Sequence, residues 1–216
     1  MAEGCKIVIA DDHPLFRGAL KQALAPAAGA VFEAGDFEAV KALLAGNDEF
    51  DLVLLDLSMP GASGLSGLIA LRGMQVGVPV VIVSARDDPQ TIRRALELGA
   101  SGFIPKSASI EEIRHAVDAV LAGGIAMPEG VEVGVERDPE MADLIRRLQS
   151  LTPQQTRVLT MLAEGLLNKQ IDYELWVSEA TVKAHVSAIL QKLGVDSRTQ
   201  AVILFGRIGS EPLQSG

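Results

Sequence analysis

Crosslinks, membrane spans and aromatic bulk are all scarce in this chain of 216 residues. It holds one cysteine, Cys5, so no internal disulfide can hold the fold, which suits a reducing compartment. Its apolar runs, such as residues 7–10 and 78–83, are strand-length. None approaches the roughly 20 apolar residues of a membrane-spanning helix. The opening segment MAEGCKIVIADD has a short apolar run that ends in two aspartates rather than a small-residue cleavage site, so a signal peptide is not expected. These absences point to a cytoplasmic protein with no membrane partner. Aromatic residues make up only 4% against 48% apolar residues, so the cores must be built from Val, Ile, Leu and Ala. An excess of basic charge is missing too. The net charge is −9, and all of the imbalance lies in residues 1–150, with 13 Lys+Arg against 22 Asp+Glu; residues 151–216 hold six of each. Any nucleic-acid contact must therefore rest on a local patch rather than on a basic domain.

What is present falls into two textures. From residue 6 to about 123, short β-branched runs alternate with amphipathic stretches. The pattern predicts strands over 6–10, 30–34, 52–55, 78–83 and 102–104, and helices over 14–25, 36–45, 66–74, 88–98 and 109–122. Strands alternating with helices predict an α/β doubly wound, five-stranded parallel sheet covered on both faces. Residues 123–136 are rich in Gly, Val and Glu without helical period and read as a linker. A short helix follows over 138–149, with Met141, Leu144, Ile145 and Leu148 on one face. Beyond it the pattern predicts only helices, over 153–164, 168–176, 179–193 and 198–208, giving a small all-α domain. The expected division is 1–123, a linker with its helix over 124–150, a helical domain over 151–212 and a tail over 213–216.

In open parallel sheets the functional site lies beyond the carboxyl ends of the strands. Asp11 and Asp12 follow the first strand, Asp56 the third, Ser84 the fourth and Lys106 the fifth. If they converge, three carboxylates must be neutralised, and an oxygen-only donor set suits Mg²⁺. A carboxylate beside such an ion can attack a phosphoryl donor, with Lys106 balancing the charge of the product and Ser84 donating to a phosphoryl oxygen. Some of these residues also have structural readings. Asp11 could partly cap the helix starting near Pro14. Phe103 could be plain core, and His13 reads as structural or solvent-facing, with no second His or Cys nearby to support zinc.

These segments resemble the receiver domain of two-component response regulators. VIADDHPLFR is similar to its acidic-pair segment, VLLDLSMPGASGL to its phospho-acceptor segment, VIVSA to its hydroxyl strand and GASGFIPKS to its lysine segment. The resemblance implies a flavodoxin-like fold with Asp56 as the phosphorylated residue. It also implies Mg²⁺ held by Asp12, Asp56 and the Ser58 carbonyl, with Asp11 acting through water. Phe103 would be the aromatic residue whose rotamer follows the state of Ser84.

In the second texture Thr152 precedes Pro153 as an N-cap, and Ser178 caps the helix over 179–193. That helix carries Val182, Val186, Ile189, Leu190 and Leu193 on one face and Lys183, Ala184, Ser187 and Gln191 on the other. The stretches GLLNKQI, VSEATVKAHV and KLGVDSRTQAV resemble the NarL/FixJ (LuxR-type) helix-turn-helix domain. On that resemblance Lys183, Ala184 and Ser187 read bases, and Asn168, Lys169, Thr181 and His185 touch phosphates or frame the turn. The last helix, through Arg198, Val202 and Phe205, forms a dimer face. Three positions depart from the pattern. Asp172 stands where a small alanine is usual, Gln155 where a glutamate is, and Trp176 occupies a turn that usually carries smaller polar residues. Asp172 should turn outward or loosen the turn, since burying an unpartnered carboxylate costs several kcal/mol.

The expected function is a phosphorylation-controlled transcription regulator. A sensor histidine kinase phosphorylates Asp56, the chain dimerises and binds promoter DNA, and RNA polymerase is a further partner. Two other readings come from the same residues. One is a protein-interaction switch with impaired DNA binding. The other is a Mg²⁺-dependent phosphatase, which would need a second carboxylate where Ser58 stands.

Overall fold

The computed structural model describes residues 4–25, 28–46, 49–62, 64–74, 77–128, 130–131 and 138–208; residues 129 and 132–137 of the expected linker segment and residues 209–216 lie outside the described residues. By Cα proximity the chain divides into two compact units, residues 1–63 with 77–134 and residues 64–76 with 135–216.

The first unit is built on a parallel sheet of β1 (Cys5–Ala10), β2 (Ala28–Ala34), β3 (Leu52–Asp56), β4 (Val80–Ser84) and β5 (Gly102–Pro105), in the order β2-β1-β3-β4-β5. Each neighbouring pair runs parallel. Every residue of β3 and β4 is buried, as the continuous apolar runs LVLL and VVIV require of strands covered on both faces. Ile7, Ile9, Leu52, Leu54, Val81 and Val83 form one core with Leu20 and Leu24 of α1 (Pro14–Leu24) and Ile113 and Val117 of α5 (Ile110–Leu121). The alternate residues Val8, Val53, Leu55, Ile82 and Phe103 are buried by the period-two geometry of the strand. On α2 (Phe37–Ala45) and α4 (Pro89–Glu97), Phe37, Val40, Ile92 and Ala95 are buried as well.

The second unit collects α3 (Ser66–Gly73), α6 (Pro139–Gln149), α7 (Pro153–Ala163), α8 (Asn168–Leu175), α9 (Glu179–Leu193) and α10 (Arg198–Arg207). Its core includes Met141, Leu144, Ile145 and Leu148 of α6 together with Val158, Leu159, Ile171, Val182, Ile189 and Leu193. The helix expected to be part of a linker is thus an integral layer of this unit. Arg147 Nη1 donates to the Leu193 carbonyl at 2.6 Å and Lys192 Nζ to the Ser150 carbonyl at 2.6 Å, tying α6 to the C-terminal end of α9.

Most helix boundaries differ from the sequence expectation by one residue, for a consistent reason. Asp36, Asp88, Ser109 and Asp138, read as first helical residues, are N-caps whose side chains accept the amides of Ala39, Thr91, Glu112 and Met141. At the other ends Ala25, Met74, Leu98, Ala122, Glu164, Trp176 and Ile208 are C-caps. The start of the expected linker is also ordered against the sheet. The Phe103 N–H donates to the Ala126 carbonyl at 2.9 Å and the Ala126 N–H to the Ser101 carbonyl at 3.1 Å. Glycine at 102 permits this, because a Cβ there would stand 2.9 Å from Ala126. Among the described residues, no helix is long and apolar enough to cross a membrane.

Candidate functional site

The strand order reverses between β1 and β3, since the chain leaves β1 for β2 on one side and returns to β3 on the other. At such a switch point the loops diverge and leave a crevice at the carboxyl ends of the strands. Asp11 and Asp12 leave β1 at this crevice, and Asp56 is the last residue of β3 beside it. One strand further, Ser84 ends β4. The Lys106 N–H donates to the Ser84 carbonyl at 2.8 Å, which sets the lysine just past β5. The five residues singled out from the sequence therefore stand along one rim.

Lys106 Nζ lies 2.9 Å from Asp56 Oδ2 and 2.7 Å from Asp11 Oδ2. Both carboxylates are buried, at 2% and 1% exposure, so each is largely stripped of water and held by the same ammonium. Burial alone would lower the Lys106 pKa; the hydrogen bonds from its ammonium to Asp11 and Asp56, and their charges, override that and hold it above the ordinary lysine value. Lys106 also lies over the Phe16 ring, 5.0 Å from its centroid, which fixes the approach of its stem. Asp11 Oδ1 accepts the His13 N–H at 2.8 Å, and Asp56 Oδ1 accepts the Ser58 N–H at 3.2 Å. Asp11 does not cap α1. The N-cap is His13, which makes no side-chain capping bond.

One ammonium does not balance three carboxylates. Asp12 Oδ1 is shut away from solvent and makes no hydrogen bond, although His13 Nδ1 stands 2.6 Å from it. Asp11, Asp12, His13 and Asp56 each offer a donor atom, and the four lie within 4.8 Å of one another. An oxygen-rich cluster with surplus negative charge fits a hard divalent cation such as Mg²⁺. A cavity of about 480 Å³ opens beside it, lined by residues that include His13, Phe16, Asp56, Ser58, Ala85 and Lys106. Its volume is ample for a phosphoryl group.

Ser84 is fully buried, and its Oγ accepts the Arg86 N–H at 3.0 Å, which leaves its O–H available to donate. Phe103 is 1% exposed. The ring is thus already inside the fold, on the core side of β5. The sequence reading missed Phe16, which packs under Lys106, and Arg17, whose Nη1 donates to the Asp11 carbonyl at 2.7 Å and whose Nε donates to Glu33 Oε2 at 3.0 Å. Their only signal was position, on the first turn of a helix leaving the acidic pair.

In the second unit, Lys183, Ala184 and Ser187 are exposed along α9, while Val182, Ile189 and Leu193 are fully buried. Lys183 Nζ pairs with Glu179 at 2.9 Å, and that hydrogen bond holds the Glu179 carboxyl below its ordinary value. Thr181 belongs to the cap: its N–H donates to Ser178 Oγ at 3.1 Å, and the two hydroxyls meet at 2.8 Å. Lys169 is exposed, whereas Asn168 and His185 are half-buried. Gln155 keeps the cap that a glutamate would make. Its Oε1 accepts the Thr152 N–H at 3.0 Å and Lys192 Nζ at 2.8 Å.

Asp172 is half-buried and α8 continues through it to Leu175, so the carboxylate does not break the motif. Trp176 takes a left-handed φ of 53° as the C-cap, 88% exposed and stacked on Tyr173. On α10, Phe205 is 4% exposed and packs inside its own unit, which removes it from an exposed face. Val202 is half-buried, and the Arg198 guanidinium donates to the Leu166 carbonyl. The exposed apolar residue there is Ile203.

Comparison with known proteins finds two family matches. Residues 7–118 match the response regulator receiver domain family, and residues 149–205 match the bacterial regulatory proteins of the luxR family. The chain is 43% identical over 211 residues to the glycerol metabolism activator of Pseudomonas putida, covering 94% of this chain and 96% of that one. It is 37% identical over 210 residues to the nitrate/nitrite response regulator protein NarP of Escherichia coli (strain K12), covering 93% and 94%. In fold it is similar to the RcsB response regulator of Salmonella typhimurium, with a TM-score of 0.53 at 23% identity over 95% of this chain and 99% of that one.

Proposed function

The chain belongs to the response regulators that join a receiver domain to a LuxR-type DNA-binding domain, and from that premise we propose that Asp56 is its phosphoryl acceptor and α9 its base-reading helix. It is a DNA-binding transcription regulator of the two-component kind. The observation that carries the finer reading is the shared grip of Lys106 on Asp56 and Asp11, at 2.9 and 2.7 Å, beside a cavity open to solvent.

Asp56 attacks the phosphorus of a donor, a phosphohistidine of a sensor kinase or a small acyl phosphate. A carboxylate O–P bond forms and the donor's P–N or P–O bond breaks; the imidazole of a phosphohistidine leaves with a proton, and the carboxylate of an acyl phosphate leaves as the anion. Asp12, Asp56 and the Ser58 carbonyl would hold Mg²⁺, with Asp11 acting through water; when bound, the ion screens the approach of two anions. Lys106 offers its ammonium to the new phosphoryl oxygens in exchange for Asp56 Oδ2. Ser84 turns its hydroxyl to donate to the same group and draws the start of the β4–α4 connection towards it. That movement is the output: it favours a homodimer whose two α9 helices enter successive major grooves, with RNA polymerase engaged afterwards. Lys183, Ala184 and Ser187 face bases, while Asn168, Lys169, Thr181 and His185 hold the backbone or the turn. We place this activity in the cytoplasm, with a receiver over 1–123 and a DNA-binding domain over 151–212 that α6 extends at its front. No observation favours the hydrolase reading, since Ser58 stands where a general acid would be needed.

The test is fluorescence anisotropy on promoter DNA from the chain's own upstream region, with and without acetyl phosphate and Mg²⁺. Wild type should bind more tightly after treatment and Asp56→Asn should not respond. Equal responses of the two would refute the assignment of Asp56.

A further inference from the structure

The Asp11 carbonyl belongs to the peptide bond that leads into Asp12. Because that unit is planar, fixing the carbonyl fixes where the Asp12 N and Cα stand, and leaves only rotations within Asp12 itself to aim its side chain. The amide on the other side of Asp11 is already held, donating to the Ala34 carbonyl at 3.0 Å. The carbonyl is held by Arg17 Nη1 at 2.7 Å. The guanidinium is in turn aimed by Glu33 on β2, which accepts Arg17 Nε at 3.0 Å and Lys21 Nζ at 2.7 Å. The Arg17 side chain is 18% exposed, well sheltered for a surface-helix arginine, and its planar fork can serve a carbonyl and a carboxylate at once. The Lys21 and Arg17 hydrogen bonds hold the Glu33 carboxyl below its ordinary value, so the clamp stays charged through the neutral range.

We propose that Arg17, aimed by Glu33, is a positioning residue for the acidic pair: it holds the Asp11–Asp12 peptide so that the Asp12 carboxylate faces the cation site. Asp12 needs such help. It is half-buried, and its buried oxygen makes no hydrogen bond of its own. The clamp also ties the edge strand β2 and α1 to the rim, which links the integrity of that edge to cation affinity. The inference rests on the reading of this rim as a cation and phosphoryl site.

Charge and position make opposite demands here, so the sign of the effect decides. A guanidinium near the pocket repels an incoming dication, and its removal should tighten binding if charge is all it supplies. If it positions Asp12, its removal should weaken binding. The experiment is calorimetric titration of the full chain with MgCl₂, beside acetyl phosphate labelling followed on Phos-tag gels as Mg²⁺ is raised. Arg17→Ala should raise the Mg²⁺ Kd about tenfold, the scale of losing a group that orients a ligand, with labelling at saturating Mg²⁺ returning to the wild-type level. Arg17→Lys should recover part of the affinity, since one ammonium cannot serve both partners. Glu33→Gln should show a smaller rise. Unchanged or tighter binding by folded Arg17→Ala overturns the proposal. Should that variant not fold, unchanged Kd values in both Arg17→Lys and Glu33→Gln overturn it equally. A wild type that neither binds Mg²⁺ nor accepts phosphoryl would instead sink the reading of the rim itself, and that arm needs no variant.

Discussion

The two polar sites of this molecule are built in opposite ways. At the rim of the sheet the functional groups are buried and already engaged: Asp11, Asp56 and Ser84 are at most 2% exposed, and one lysine grips both carboxylates. Along α9 the residues proposed to read DNA lie in the open, with one ion pair between Lys183 and Glu179. The difference matches the tasks proposed for them. Bond-making chemistry needs charges desolvated and fixed before the donor arrives. Reading a groove needs donors that can be lent to a partner at little cost to the fold. The rim should therefore couple function to stability, and α9 should separate them.

The sharpest way to break that contrast is Lys106→Met. It leaves two buried carboxylates without their cation, and removing one partner of a buried ion pair costs about 3–5 kcal/mol. Urea unfolding in EDTA should show a loss of that size, partly restored by Mg²⁺. A loss below the range would mean the rim is wetter than its burial implies. The pH dependence has a definite sign. With its pKa raised by Asp11 and Asp56 against the pull of burial, Lys106 contributes fully below the ordinary lysine pKa. That contribution fades as pH rises through the raised value. Wild type should lose stability in that alkaline window more steeply than Lys106→Met does.

On the other side, Lys183→Ala should weaken specific DNA binding by about 1–3 kcal/mol, the scale of one base contact. Its melting temperature should stay at the wild-type value, because exposed ion pairs contribute little to folding. A melting shift without a binding loss would invert the comparison.

A smaller effect is expected at Trp176, the one non-glycine residue with positive φ among the described residues. The left-handed conformation costs an ordinary residue about 1–2 kcal/mol, so Trp176→Gly should stabilise the second unit by about 1 kcal/mol, reduced by the lost stack on Tyr173. Differential unfolding in guanidinium measures it, and destabilisation would mean the stack outweighs the strain.

The smallest effect belongs to Glu33, whose pKa is lowered by Lys21 and Arg17. Its contribution is present above the ordinary carboxyl pKa and is lost as pH falls through the lowered value. In acid melting curves wild type and Glu33→Gln should converge below that point.

The rim was legible in the sequence because each of its residues follows a strand, and the parallel order brings strand ends together whatever lies between. Caps were legible as residue types and were off by one only because a cap sits half in its helix. Contacts between elements were not. Nothing in the run of residues says that Arg17 would cross to Glu33 and to a backbone carbonyl, since that depends on β2 pairing with β1. The face of α10 was equally hidden. Val202, Ile203, Leu204 and Phe205 are all apolar and blur the helical period, so Phe205 was read as outward where it is buried and Ile203 is exposed. The helix α6 read as part of a linker because its apolar stripe names no partner; α9 supplies it.

The central claim is that one particular carboxylate on the rim takes the phosphoryl group. Borohydride trapping after acetyl phosphate and Mg²⁺, followed by peptide mass spectrometry, reads this directly by converting the modified aspartate to homoserine. Homoserine at position 56 alone, lost when Mg²⁺ is withheld, is the expected result. Homoserine at position 11 or 12, or none in a chain shown to bind Mg²⁺, would contradict it.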